Sequence, residues 1–597
     1  MARRFAQNKK QRFVALRTEK IEGNSRSKRT QALFFLIFVF AAFIVARLFN
    51  FQVLKGDYYS ALASEKHEIY QQLFPKRGEI FMQDRGGGKK GAEPKLYPLA
   101  TNIEYNLVFA DPKNVADPAK AAKELGPILG IDQNILLAKL SKANDSYEPL
   151  KHKVTEKEAV AIKALNLAGI NFQKETYRYY PEKSVASQLA GFLGFKGDKQ
   201  VGQYGLEGYF DEELRGEEGH LKSETDPAGR LISFGDTEIT KAKDGDDLVL
   251  TIDRTIETLA CSKIKEAVDK YGADSGTVII MDPKTGAIIA MCNYPDFDPN
   301  EYSKVKDISV FNNLAVWSAF EPGSVFKPLT MAAAIDTDKV LPDSTYIDEG
   351  FVKYGQFTIK NSDGKANGVQ TMTQVLEKSL NTGAIYVEEK LGNSLFRQYV
   401  RNFGFGQATG IELGMEASGN ISSLDKKGDI YSATASYGQG ITATPLQVVS
   451  AFAAIANGGN LMKPYLVDEI SKSDGVKIKT EPKIVRRVIS ERTATLIGGM
   501  LVSVVQNGHG KRAGVPGYYV AGKTGTAQVH KSNGPGYEEN ITIGSFVGFA
   551  PVEDPRFAMI VKIDHPRDVQ WAESSAAPIF GEIAKFLLNY YQVPTNR

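Results

Sequence analysis

Between Ala32 and Ala46 the chain runs through fifteen small and apolar residues without a break, and beyond Arg47 the stretch Leu48–Leu54 extends it. About 20 residues are needed to cross the ~30 Å of hydrocarbon in a bilayer. With Arg47 near the far interface, where its long stem lets the charge reach the headgroups, residues 31–54 attain a spanning length. Residues 1–30 hold ten Lys and Arg against Glu19 and Glu22. A cleaved signal peptide would have a shorter leader and a small-residue cleavage site after the run, and the sequence has neither. The reading is an uncleaved single-pass anchor. Residues 1–30 then form a basic cytoplasmic tail, and the positive-inside rule puts residues 55–597 on the extracytoplasmic side.

The first thirty residues are +8 and the whole chain is +3, so residues 31–597 carry −5. A nucleic-acid surface would place its positive charge on a folded domain, so no nucleic-acid partner is expected. At 597 residues and 42 % apolar content the chain is long enough for two to four units with sizeable cores. Six scattered histidines without an H-E-x-x-H or Cys/His cluster argue against a metal site, and no cofactor motif is present. The loop Gly86–Gly91 lacks the G-K-[ST] ending of a phosphate-binding loop. Two cysteines, Cys261 and Cys292, are too few for a disulfide framework. They are expected as small buried fillers, with a single bridge left open.

Residues 55–245 mix short strands, helices and glycine-punctuated turns, with helices expected over 113–142 and 157–168. No acid, base and nucleophile converge there, and the segment reads as a spacer or interaction domain. The pattern changes near Asp246. A strand at Leu248–Ile252 and a helix at Ile256–Tyr271 lead into a hairpin, 277–281 and 287–291, turned by Asp282-Pro283-Lys284-Thr285-Gly286. A second pair, 543–549 and 557–563, and a helix over 579–591 close the chain. Hairpins from both ends of one region with helices between them predict an antiparallel sheet flanked by helices, an α+β fold.

Three short stretches in this region carry chemistry. Ser324-Val325-Phe326-Lys327 follows a Pro-Gly turn, and Pro328 is compatible only with a first helical turn. A helix from Ser324 puts the hydroxyl and the Lys327 amine on one face. Ser379-Leu380-Asn381 lies 55 residues on, where a helix-like run is expected to break at Asn381. Lys523-Thr524-Gly525-Thr526 lies a further 144 residues on, in a strand-like run over 518–529. Singly each is ordinary: an exposed helix face, a helix end, an edge strand. In this order they form a known signature of active-site serine acyl transfer.

The residue types fit that chemistry. A serine hydroxyl attacks an acyl carbon poorly unless a base takes its proton. Lysine is the base available, yet at its ordinary pKa of ~10.4 only about one molecule in 2,500 is neutral at pH 7. Making it a base near neutrality costs roughly 4 kcal/mol, which burial and a second nearby cation together supply. Lys523 is the natural second cation and is also placed to attract a substrate carboxylate. Ser379 fits a proton relay and Asn381 an amide hydrogen-bonding partner. Gly525 leaves room for a substrate backbone along the strand. Thr524, Gly525 and Thr526 are then substrate-binding, and the N–H groups of Ser324 and Thr526 are candidates for an oxyanion hole.

These motifs resemble those of the penicillin-binding proteins, specifically a class B, monofunctional D,D-transpeptidase similar to the septal cell-wall synthases of bacterial division. The resemblance extends to Arg77-Gly78-Glu79-Ile80, Arg178-Tyr179-Tyr180-Pro181, Gly205-Leu206-Glu207-Gly208 and Leu250-Thr251-Ile252-Asp253. It continues through Asp282-Pro283-Lys284-Thr285-Gly286-Ala287, Ser436-Tyr437-Gly438-Gln439-Gly440 and Thr444-Pro445-Leu446-Gln447. It implies an elongated pedestal domain (55–245) below a transpeptidase domain (246–597) of serine β-lactamase-like fold. It implies attack by Ser324 on the D-Ala-D-Ala end of a peptidoglycan stem peptide, transfer of the acyl group to a neighbouring stem's amine, and covalent inhibition by β-lactams at Ser324. A polytopic membrane glycan polymerase and divisome proteins are the implied partners. One departure is visible: the family's Leu-Ala pair soon after Asp84-Arg85 comes here only at Leu99-Ala100, beyond the glycine-lysine loop. Lateral-wall transpeptidase, D,D-carboxypeptidase and β-lactam sensor are the alternatives within this chemistry.

Overall fold

The computed structural model describes residues 26–50, 55, 68–86, 93–142, 145–197, 199–224, 237–531, 534 and 536–595. Most of the basic tail, the end of the expected span and most of the glycine-lysine loop lie outside the described residues. Helix α1, Arg26–Phe49, covers the apolar run and starts within the expected tail. Its apolar side chains are exposed, Phe38 by 73 %. Among the described residues it is the one helix long and apolar enough to cross a membrane. Its apolar part, Ala32–Phe49, spans about 27 Å at 1.5 Å per residue.

The described residues fall into two compact units. The first, drawn from 1–73 and 219–241, contains a three-stranded antiparallel sheet in the order Glu68–Leu73, Gly219–Glu224, Thr237–Thr240. The second comprises residues 74–218 and 242–597. The helix expected over 113–142 is two helices, Pro118–Leu129 and Gln133–Leu140. Gly130 caps the first in the left-handed region at φ 66°, a conformation that ends a helix and that glycine adopts without a Cβ penalty. Strand Asp247–Asp253 runs parallel to Ile80–Asp84 on one side and antiparallel to Val467–Ser471 on the other. A single sheet therefore continues across residue 246. The displaced Leu99-Ala100 pair is buried, and Ala100 faces Ile80 across the same sheet.

Three of the resembling motifs meet in one buried charge cluster. Glu207, fully buried, bonds Arg77 at 2.7 Å and Arg178 at 2.6 Å, and Arg77 also reaches Asp211 at 2.9 Å. Burial alone would push the Glu207 carboxyl up, but Arg178 and Arg77 hold it below its ordinary value.

The catalytic-motif region is built on a five-stranded antiparallel sheet. Its strands in chain order are β1 (Ser275–Met281), β2 (Ile288–Tyr294), β3 (Ala521–His530), β4 (Tyr537–Ala550) and β5 (Phe557–Asp564). They lie side by side as β2-β1-β5-β4-β3. All eight residues of β5 are buried, the mark of a strand covered on both faces. Helix α2 (Arg254–Tyr271) contributes Ile256, Ala260 and Ile264 to one cover, joined by Phe580, Ile583 and Leu587 of the C-terminal helix Ala576–Tyr590. The other face packs on a larger core that includes Ala332, Ile335, Val449 and Phe452.

The structure corrects the reading of the cysteines as fillers. Cys261 of α2 and Cys292 of β2 form a disulfide, with Cα atoms 5.3 Å apart. Their spacing of 31 residues is uninformative until α2 is laid across β2.

Glu207→Ala removes the buried carboxylate that pairs with Arg178 and leaves Arg77 with Asp211 alone, and it lowers stability by about 3–5 kcal/mol in a denaturant titration. Because the Glu207 carboxyl is held below its ordinary value of 4.5, its contribution is complete above that pH and is lost as pH falls through the depressed value. Glu207→Gln accordingly flattens the acid limb of the stability curve. Replacing both cysteines by alanine removes a cross-link over about 30 residues and costs roughly 2–4 kcal/mol, read in the same titration.

Candidate active site

Ser324 does not open the α-helix itself. It sits in a 3-10 turn, Gly323–Phe326, and helix α3 (Lys327–Asp336) follows with Pro328 in its first turn. The tight turn keeps Ser324 half-buried on a cleft wall and sends Lys327 into the interior, 1 % exposed. The turn is wedged from two sides. Gly323 N–H donates to the Gly438 carbonyl at 3.0 Å, and a Cβ on Gly438 would lie 2.2 Å from Gly323 O, which accounts for glycine within Ser436–Gly440. On the other side a Cβ on Gly525 would meet Val325 Cγ1 at 2.8 Å and Pro322 O at 3.0 Å. Gly525 thus lets β3 lie flush on the serine turn, a packing role distinct from the expected clearance for substrate. Its neighbours Thr524 and Thr526 line the cleft.

Ser379-Leu380-Asn381 meets this turn at the start of a helix rather than at the end of one. The run Met372–Glu377 stops, and α4 (Asn381–Leu391) begins at Asn381 where a break was expected. Ser379 occupies the left-handed region at φ 57°, a strained conformation for a non-glycine residue that functional sites tend to hold. The strain turns its hydroxyl between two lysines. Lys327 Nζ donates to Ser379 O at 2.5 Å, and it lies 3.2 Å from Ser379 Oγ and 2.8 Å from Asn381 Oδ1. Lys523 Nζ lies 3.1 Å from the same Oγ and 3.1 Å from the Thr524 carbonyl. Lys523 is fully buried. Burial, and then the charge of Lys523, push the Lys327 amine well below its ordinary range. Burial lowers Lys523 to about 7, against the opposing pull of Glu573.

Ser324, Ser379, Thr524 and Thr526 face one cleft of about 340 Å³, with Lys327 and Lys523 buried beneath Ser379. All three sequence motifs are therefore brought together.

Two acidic residues that sequence reading passed over hold this arrangement. Glu321, buried just before the turn, accepts from Gly440 N at 2.8 Å and from the Tyr537 hydroxyl at 3.2 Å. Asp348, 1 % exposed on the strand Thr345–Asp348, accepts from Gly350 N, from Asn361 Nδ2, from Asn367 N and Nδ2, and from Thr382 Oγ1 at 2.7 Å. Asn361 Oδ1 takes the Thr382 N–H at 3.2 Å, and Asn381 Nδ2 donates to Lys360 O at 2.9 Å. The turn around residues 361–367 and the first turn of α4 are thus tied to one carboxylate. Only the resulting fold reveals it, since T-Y-I-D alone reads as an ordinary edge strand. Asp348→Ala strands several buried donors, each costing about 1–3 kcal/mol. The expected loss is at least about 3 kcal/mol by thermal unfolding, with amide-exchange protection falling first at Asn381–Ala384.

A family profile described as penicillin-binding protein transpeptidase domain matches residues 276–585, and one described as penicillin-binding protein dimerisation domain matches residues 73–250. The chain belongs to the penicillin-binding protein transpeptidase family. It is 37 % identical over 568 residues to stage V sporulation protein D of Bacillus subtilis, covering 93 % of this chain and 85 % of that protein. A peptidoglycan D,D-transpeptidase FtsI homolog of Mesostigma viride is 30 % identical, with 95 % and 96 % covered. Among solved structures, penicillin-binding protein 3 of Mycobacterium tuberculosis complexed with aztreonam superposes with a TM-score of 0.67 at 26 % identity, covering 88 % of this chain and 98 % of that one.

Proposed function

We propose that the protein is a peptidoglycan D,D-transpeptidase working through an acyl-enzyme on Ser324. The observation that carries this reading is the pair of buried lysine amines on Ser379 Oγ, 3.2 Å from Lys327 Nζ and 3.1 Å from Lys523 Nζ. Neutral Lys327 takes the Ser324 proton as Oγ bonds to the carbonyl carbon of the penultimate D-Ala. The carbonyl oxygen, now negative, lies between the N–H groups of Ser324 and Thr526. The peptide C–N bond then breaks, and the terminal D-Ala leaves with a proton passed from Lys327 through Ser379. Lys523, Thr524 and Thr526 receive its carboxylate, Asn381 holds Lys327, and Gly525 keeps β3 against the serine turn. In the second half the amine of a neighbouring stem attacks the ester. The C–N bond forms, the C–Oγ bond breaks, and the amine proton returns to Oγ by the same relay. β-Lactams acylate Ser324 in the first half and block the second.

Residues 31–54 anchor the chain with residues 1–30 in the cytoplasm. Residues 55–245 act as pedestal and 246–597 as transpeptidase. The Cys261–Cys292 bridge supports an extracytoplasmic placement, because such bonds persist in oxidising compartments. The anchor and pedestal are the surfaces for a polytopic glycan polymerase and the division machinery. Septal synthesis is the duty proposed; a second reading, wall synthesis during sporulation, is favoured by the 37 % identity to the sporulation protein.

Labelling with benzylpenicillin and mapping the modified peptide yields an adduct on Ser324; an adduct elsewhere, or none, overturns the reading. Lys327→Ala slows acylation by about 10²–10⁴-fold. The amine must be neutral to act as base, so the rate rises with pH through the lowered Lys327 value. This places the rising limb well below the ordinary lysine range.

A further inference from the structure

One wall of the cleft comes from a segment that none of the three motifs includes. After β5 the chain passes through residues 570–575, and two bonds strap it to β3 and β4. Ala572 N–H donates to Thr526 Oγ1 at 3.2 Å, and Thr542 Oγ1 donates to the Gln570 carbonyl at 3.1 Å. The strap puts Trp571, Ala572 and Glu573 on the cleft wall that also holds Thr524 and Thr526. Trp571 is 47 % exposed, a large apolar ring left at the cleft rather than packed into the core. Glu573 Oε2 lies 2.9 Å from His509 Nδ1, and the Glu573 side chain keeps 43 % exposure.

The reaction proposed above needs two substrates of opposite character at this cleft. The first arrives with a carboxylate, for which the buried lysines are suited. The second arrives as a primary amine, which at neutral pH is an ammonium and is repelled by any charge those lysines keep. Resting on that proposed function, we propose that Glu573 determines acceptor specificity. Its carboxylate receives the ammonium of the acceptor stem's side-chain amine before proton loss, and the Trp571 ring covers the amine's alkyl chain. A carboxylate and an aromatic face side by side form a site for a cation on an apolar stem. His509, bonded to one carboxylate oxygen, orients the group toward the cleft.

The test uses the full chain acylated by a D-Ala-D-lactate depsipeptide and follows partition of the acyl-enzyme between two nucleophiles. One is a peptide with a free lysine side-chain amine; the other is hydroxylamine, uncharged at neutral pH. Glu573→Gln raises KM for the lysyl peptide about tenfold with its limiting rate within about twofold. Preference for the lysyl peptide over hydroxylamine falls by the same factor. Glu573→Asp, which keeps the charge, recovers part of that preference. An unchanged preference in Glu573→Gln overturns the proposal. So does an equal loss toward both nucleophiles with a shifted pH profile of penicillin acylation, which would mean that Glu573 acts by tuning Lys523. A wild-type protein that forms no acyl-enzyme at Ser324 overturns the proposed function itself, and this inference with it.

Discussion

Two lysine amines share one serine hydroxyl in the interior, and the rest of the catalytic region depends on that arrangement. A buried ammonium ion loses its hydration, and a second one nearby adds repulsion, so the pair relaxes by giving up a proton. Lys327 yields because its amine is buried away from water and faces the charge of Lys523, while Asn381 Oδ1 and the Ser379 carbonyl hold it in position. The same burial that destabilises the charge is what the proposed reaction uses to make Lys327 a base. Cost and function therefore have one physical origin.

Such an arrangement works only if three distant chain segments hold their places to a fraction of an ångström. The sheet supplies one of them through β3, gripped by β4 over its whole catalytic stretch. Close approach of backbones supplies the second, with Gly438 and Gly525 leaving no slack around the serine turn. The third, Ser379 to Asn381, is held in a strained conformation by polar bonds that converge on Asp348. Strain of this kind persists only where its surroundings over-determine it. Here those surroundings are a buried carboxylate and the donors it satisfies.

The legible features were local ones. The apolar run behind a basic leader, the two hairpins of the sheet and the helix at Ile256–Tyr271 are each written in one continuous stretch of the chain. The order of the three motifs was equally readable, because residue type and chemistry coincide. Gly525 reads in the sequence as clearance for a substrate backbone, whereas in the fold the space a Cβ would need is taken by Ser545 of β4 and by Val325 and Pro322 at the serine turn. The cysteine bridge, Asp348, Glu321 and the wall at Trp571–Glu573 carry no local signal. Each becomes meaningful only when a partner tens to hundreds of residues away is brought against it.

By itself the sequence determined an apolar N-terminal segment of spanning length, an antiparallel sheet flanked by helices and an acyl-transfer signature in a fixed order. Periodicity and residue chemistry are properties of neighbouring positions and survive without coordinates. Tertiary structure alone decided which lysine amines meet Ser379 Oγ, how far each is pushed from its ordinary pKa, and what walls the cleft. Desolvation and Coulomb interaction depend on distance and burial, and neither exists in a chain until its remote segments are packed together.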